Sequence, residues 1–147
     1  MNTNEILSKI SIIKDLSDKY IENELKANGF EKIVPSHKEI IYLLCKKDGP
    51  ITISEIVEAT HKPKSTLTSN LRTLKKYGYI NRIINPNDSR SCHIELTDKG
   101  KKLIPIFKKI SSDINKILYE NMNIDEIEGL TKSIEIIKEN LENNNKE

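Results

Sequence analysis

Between positions 63 and 80 the apolar residues Leu67, Leu71 and Leu74 fall four and then three apart, in otherwise polar sequence. A 3.6-residue period gathers them into one narrow stripe, which predicts an amphipathic helix. The opposite stripe carries Ser65, Ser69, Arg72 and Lys76, with Thr66, Thr68 and Thr73 beside it. Upstream, Ile6, Ile10, Ile13, Leu16 and Tyr20 recur at similar steps and predict a long first helix over 5–28, stopped by Asn28-Gly29. After Val34-Pro35, a Ser36/Glu39 capping box opens a second helix with Ile40, Ile41, Leu43 and Leu44 apolar, ended by Asp48-Gly49-Pro50. A second capping box, Thr52/Glu55, opens a short third helix, and Pro63 suits the first turn of the fourth. Two short helices joined by a tight turn, the second polar on its outer face, form a helix-turn-helix pattern.

Past Tyr77-Gly78-Tyr79 the period changes. Residues 80–84 and 91–96 read as two strands, with Cys92, Ile94 and Leu96 alternating against His93 and Glu95. The turn formers at 85–90 between them complete a β-hairpin wing. Thr97 caps a fifth helix bearing Leu103, Ile106, Phe107, Ile110, Ile114 and Ile117, which Pro105 should bend or weaken. Asn123 and Glu126 open a sixth, where Ile127, Leu130, Ile134, Ile137 and Leu141 keep the period. The expected fold is mainly α with a small β-wing: a winged helix-turn-helix of six helices plus a hairpin. It forms a single domain over 1–147, with a winged-helix lobe at 36–97, helical regions at 1–30 and 98–143, and a disordered tail at 144–147. The terminal helices carry long stripes that a two-fold symmetric dimer would bury, and a helix-turn-helix dimer places two recognition helices in successive major grooves.

Charge sharpens the picture. The net charge of the chain is +2, but residues 61–102 alone carry +7 and the remainder −5, and no Asp or Glu occurs from His61 to Asn87. Such a localised basic region suits a phosphate-lined groove, where an acid would repel the backbone. The candidate DNA-contacting residues are Lys62, Lys64, Ser65, Thr66, Thr68, Ser69, Arg72 and Lys76. Arg90 and Asp88 sit on the hairpin tip, where Arg90 either enters a minor groove or forms a surface pair with Asp88.

Other chemistry finds little support. Cys45 and Cys92 lie 47 residues apart and read as structural thiols. His37, His61 and His93 have no partner at metal-ligand spacing and read as surface or capping residues. No phosphate-cradling glycine loop or nucleophile elbow is present, so neither an enzyme nor a cofactor is expected. With no long apolar run and no signal-like N-terminus, the expected location is cytoplasmic, without a membrane partner. Low aromatic content (5%) disfavours a stacking platform for single strands.

Two passages resemble the MarR family of bacterial transcriptional regulators. KPKSTLTSNLRTLKKYGYINR is similar to that family's recognition helix and its run into the wing, and NDSRSCHIELTDKGKKL resembles its wing signature, with Asp88, Arg90, Leu96, Thr97 and Gly100 at the matching positions. The resemblance covers nearly the whole chain. It implies a winged-helix homodimer that binds a pseudo-palindromic double-stranded operator, usually as a repressor. Lys64, Ser65, Thr66, Thr68 and Arg72 would then face the major groove, and Arg90, braced by Asp88, the minor groove. It also implies a small-molecule effector site between the dimer helices and the DNA-binding lobe, to which no residue is assigned. The N-terminal sensing cysteine of some members is absent. The alternative is a winged-helix module acting through a protein partner, or as a non-specific architectural DNA binder.

Overall fold

Apolar stripes and local caps set the order of elements in the computed structural model, which describes residues 3–30, 32–33, 35–47, 49–85 and 88–145. The elements are α1 (Thr3–Ala27), α2 (Pro35–Lys47), β1 (Ile51–Thr52), α3 (Ile53–Thr60), α4 (Lys64–Lys76), β2 (Ile80–Asn85), β3 (Asp88–Leu96), α5 (Asp98–Lys101), α6 (Leu103–Leu118) and α7 (Ile124–Asn144). The chain divides into two compact units at Ser111/Ser112.

In the first unit, α2, α3 and α4 bury Ile40, Ile41, Leu44, Ile56, Leu67, Leu71 and Leu74 against Ile80 and Ile94 of the sheet, with Ile21 and Leu25 from α1. Fully burying side chains of this size contributes about 1.5–3 kcal/mol each before the entropy of ordering them is counted. The sheet is antiparallel in the order β1-β3-β2, with Ile51 opposite Ile94 and Arg82 opposite the same Ile94 from the other side.

Two helices end in the same way. Gly29 has φ +84 and Gly78 φ +79, a left-handed conformation that glycine adopts without a Cβ penalty. After α1, Phe30 N donates to Leu25 O (2.8 Å) and Gly29 N to Lys26 O (3.0 Å). After α4, Tyr79 N donates to Leu74 O and Gly78 N to Lys75 O, both at 3.0 Å. Both are Schellman motifs, which satisfy carbonyls that the helix end would otherwise leave unpaired.

Several sequence expectations change. The helix expected to open at a Ser36/Glu39 box begins one residue earlier, at Pro35, so Ser36 lies inside α2 and is not its cap. Proline's fixed φ favours the first helical position. Thr52 does cap α3: Glu55 N donates to its Oγ1 (3.1 Å) and Thr52 N donates to Glu55 Oε2 (2.7 Å). Ile51 and Thr52 also form the third strand that a two-stranded hairpin omits. The single fifth helix is divided at Lys102 into α5 and α6. Pro105 has no N–H for the carbonyl of Lys101, and its ring crowds that oxygen, so the break falls just upstream. The strands run beyond 84 and start before 91, leaving Pro86 and Asn87, which lie outside the described residues. Asn144, expected in the tail, closes α7, whereas Lys146 and Glu147 lie outside the described residues.

In the second unit, α7 opens with a complete capping box: Glu126 N donates to Asn123 Oδ1 and Asn123 N to Glu126 Oε2, both at 2.9 Å. None of its residues is buried.

Candidate nucleic-acid interface

The three leucines of α4 fix which way the helix faces. With Leu67, Leu71 and Leu74 between 0 and 7% exposed, the far side, bearing Ser65, Ser69, Arg72 and Lys76, is held outward. Lys64, Thr66 and Thr68 are exposed as well. Thr68 Oγ1 donates to Lys64 O (2.8 Å) and Thr73 Oγ1 to Ser69 O (3.2 Å). Each hydroxyl proton is thus directed to a carbonyl one turn back, while the oxygen retains acceptor capacity. Asn70 Nδ2 donates to Ser36 O (3.3 Å) and ties α4 to the start of α2.

The sequence-predicted residues do not all share one environment. Lys62 precedes α4 and lies 3.2 Å from Glu39 Oε2 of α2. That oxygen is buried and makes no hydrogen bond of good geometry, so the contact is an ion contact rather than a directed bond. Lys76 leans over the ring of Tyr77, 5.9 Å from its centroid. The backbone of Asp88 and Arg90 belongs to β3, but the side chains of 88–91 lie outside the described ones, including the expected contact between Asp88 and Arg90. The β2–β3 ladder is irregular there: Ile84 pairs with Cys92, and the next residue, Asn85, pairs with Asp88. Three β3 residues, Arg90 among them, therefore fall between consecutive pairs.

Two cations beyond the expected contacts emerge, one on α4 and one on β2. Lys75 and Arg82 line a cleft of about 470 Å³ between α4 and the wing, together with Lys64, Arg72 and Cys92. Arg82 Nε donates to Cys92 Sγ (3.1 Å). Strand alternation was the available signal: position 82 shares a face with Ile80, which is buried, and Ile84, which is 64% exposed, so a charge there marks where the sheet leaves the core.

Other lysines serve the frame. Lys99 Nζ donates to Tyr77 O (2.7 Å) and sits 4.6 Å from the centroid of the Tyr79 ring, and Lys32 lies 4.9 Å from that of Tyr77. Near the C-terminus of α4 these positive charges oppose the negative end of the helix dipole. Burial pushes the half-buried Cys45 thiol up in pKa, and Lys108 pulls the other way, an environment that disfavours the reactive thiolate. Among the described residues no group of His, Cys, Asp and Glu is arranged to hold a metal ion, and no helix is long and apolar enough to cross a membrane.

His37, expected as a surface or capping residue, is 4% exposed. Burial first, and the charge of Lys62 second, lower its pKa. The unfolded chain therefore binds a proton that the folded chain resists. Stability contributed by neutral His37 is present above the ordinary value of about 6.5 and is lost as pH falls through it toward the depressed folded value. The melting temperature is expected to fall between pH 7.5 and 5.5, and His37→Gln to flatten that dependence. An unchanged slope in the variant would exclude His37 as its source.

A helix-turn-helix tied to a three-stranded wing, with a cationic, hydroxyl-rich helix outermost, defines the winged helix-turn-helix class. Residues 35–82, from α2 into β2, match the family model described as bacterial regulatory protein, arsR family. The chain is 27% identical over 100 residues to the HTH-type transcriptional regulator BilQ of Clostridioides difficile, an alignment spanning 68% of this chain and 66% of that one. A MarR transcriptional regulator from Methanosarcina mazei superposes with a TM-score of 0.78 at 28% identity, over 94% of this chain and 96% of the other. Streptococcus pneumoniae FabT, solved in complex with DNA, gives 0.80 at 22% identity over 97% and 99%, a likeness of fold alone. The helix-turn-helix segment is common ground among these proteins. The likeness to the Methanosarcina mazei regulator extends over 94% of this chain, so the similarity to a MarR-type winged-helix protein reaches well beyond the helix-turn-helix.

Proposed function

We propose that this protein is a sequence-specific, double-stranded DNA-binding transcriptional regulator that occupies a two-half-site operator as a homodimer and represses by doing so. The observation that carries the reading is the outer face of α4. Ser65, Thr66, Thr68, Ser69 and Arg72 are exposed on a helix whose rotation is fixed by three buried leucines, and Glu39 of the neighbouring α2 is already matched by Lys62. Hydroxyls and an arginine can bond base edges, while the lysines beside them neutralise phosphate. Relatives named as transcriptional regulators, and a structural neighbour solved with DNA, support the same reading.

The dimer rests on apolar surface that each unit leaves in solvent: Ile6, Leu7, Ile10, Ile12, Ile13 and Leu16 on α1, and Leu130, Ile134, Ile137 and Leu141 on α7. Exposed apolar surface on this scale marks an association site. A second copy of the chain is the partner that would also pair two recognition helices on one face of DNA. Release by a small-molecule effector belongs to the same reading.

The test is titration of the purified protein with duplex from upstream of its own gene and with random duplex of equal length, across a salt series. A specific excess on the order of a thousandfold, with a footprint of two half-sites one turn apart, is the expected result. Equal, salt-sensitive binding to both duplexes would replace the regulator with an architectural binder. Arg72→Ala is expected to weaken cognate binding by about 1–3 kcal/mol, with little effect on the random duplex. Equal losses on the two would reduce Arg72 to a phosphate contact.

A further inference from the structure

We infer that the cleft between α4 and the wing seats a stretch of the DNA sugar-phosphate backbone, that Arg82 is its clamp, and that the Cys92 thiol is a positioning residue for Arg82. The inference rests on the DNA-binding reading above and adds to it a second kind of contact, made by the stem of the wing rather than by its tip or by the outward face of α4.

Two walls of like charge face one cleft. On α4, Lys64, Thr68 and Lys75 share a stripe turned toward the wing, at steps of four and seven residues, with Arg72 at its edge. Across from them stands Arg82 of β2. No carboxylate lines the cleft, and among the described residues none of these four cations pairs with an acid, in contrast to Lys62. Cations that converge on a shared cavity without an acid repel one another unless an anion lies between them. The cleft is open, its charges extend along the 13-residue length of α4, and it borders the hydroxyl-rich face directly, which suits a continuous polyanion. The outward stripe carries Ser65 and Ser69, suited to base edges, whereas the stripe facing the wing carries cations, suited to phosphate.

Arg82 is placed for the purpose by the sheet. It lies on the face of β2 that carries buried Ile80, opposite fully buried Ile94, so its Cα is held by core packing while its side chain is exposed. The neighbouring Cys92 Sγ accepts from Nε at 3.1 Å. That contact takes one of the five N–H donors of the guanidinium and sets its plane, and a fixed fork of donors matches two phosphate oxygens. A thiol accepts weakly and carries no charge when protonated, so it orients Arg82 without neutralising it.

The experiment is a salt titration of duplex binding by the full chain and by the variants Arg82→Ala, Arg82→Lys, Cys92→Ala, Cys92→Ser and Arg82→Ala/Cys92→Ala, each first checked for an unchanged circular dichroism spectrum. For Arg82→Ala the expected result is a loss of about tenfold at moderate salt on cognate and random duplex alike, with the slope of log K against log salt reduced by about 0.9. Arg82→Lys should restore the slope but only part of the affinity. Cys92→Ala should weaken binding several-fold when Arg82 is present and not at all in the Arg82→Ala background, and Cys92→Ser should recover most of the loss. A merely structural Cys92 would act equally in both backgrounds, and that outcome overturns its positioning role. Wild-type binding with an unchanged Arg82→Ala slope overturns the clamp and leaves the DNA-binding reading intact. Failure of the wild-type chain to bind any duplex overturns both.

Discussion

Gly100→Ala is expected to destabilise the protein by about 3 kcal/mol, lowering its melting temperature by about 10 °C. A Cβ at this position would stand far inside van der Waals contact of the Tyr79 carbonyl oxygen, 3.1 Å from the carbon of that carbonyl and 3.0 Å from Leu96 Cδ2. The oxygen cannot retreat freely, because it accepts from Thr97 N (3.0 Å). Nor can α5 back away: Gly100 N donates to Thr97 Oγ1 (3.0 Å), and that hydroxyl donates to Gly78 O (2.5 Å). Relieving the clash would break linked bonds that join the end of α4, the start of the wing and α5. The Leu-Thr-x-x-Gly spelling of 96–100 is thus a packing requirement, and the wing would lose its root with the glycine. Gly129 is the control. It lies within α7, and a Cβ there would meet nothing within 4 Å, so Gly129→Ala should leave stability unchanged or raise it by about 0.5–1 kcal/mol. Chemical denaturation of both variants checks the pair, and equal stability of Gly100→Ala and wild type would disprove the close approach.

Ile134→Glu is expected to convert the protein to a monomer at micromolar concentration and to reduce operator affinity by on the order of 10²–10⁴, because each recognition helix would then bind its half-site alone. On α7, Ile127, Leu130, Ile134, Ile137 and Leu141 follow steps of three and four, yet Leu130, Ile134 and Leu141 are 43, 49 and 53% exposed and the helix has no buried residue. A helix of 21 residues with an apolar stripe gains most of its stability from packing that stripe. A carboxylate at its centre would have to be buried in the proposed interface without a partner. Ile134 belongs to the second unit, so the helix-turn-helix in the first should stay folded. Sedimentation velocity reads the association state and fluorescence anisotropy the affinity. A variant that remains a dimer and binds as before would place the interface elsewhere.

What could be read in the sequence was local. The Thr52/Glu55 and Asn123/Glu126 boxes, the Gly29 and Gly78 stops and the leucine stripe of α4 each depend on residues within about two turns of one another, and each appears in the structure. What could not be read was set by partners distant in the chain. β1 has only two residues and exists because β3 passes beside it. Lys62 looks like a free cation until Glu39, 23 positions earlier, is brought to it. His37 is covered by packing that no nearby residue announces, and Arg82 reads as an ordinary strand residue until α4 supplies the facing wall. The break at Lys102 was half legible: proline signalled a disturbance, but its effect falls on the residue before the helix it opens.

Thr52 has two attachments. Its backbone is paired with His93 of β3, and its hydroxyl and N–H close the N-terminus of α3. The wing and the helix-turn-helix therefore share a residue, and neither can pivot without disturbing the other. In the proposed complex with DNA, such a junction would make the protein a gauge of fixed width. The distance from the base pairs proposed to lie under α4 to the groove beside the wing would be set before any operator is met. A site with one base pair inserted between those two places should be rejected even when every contacted base is correct.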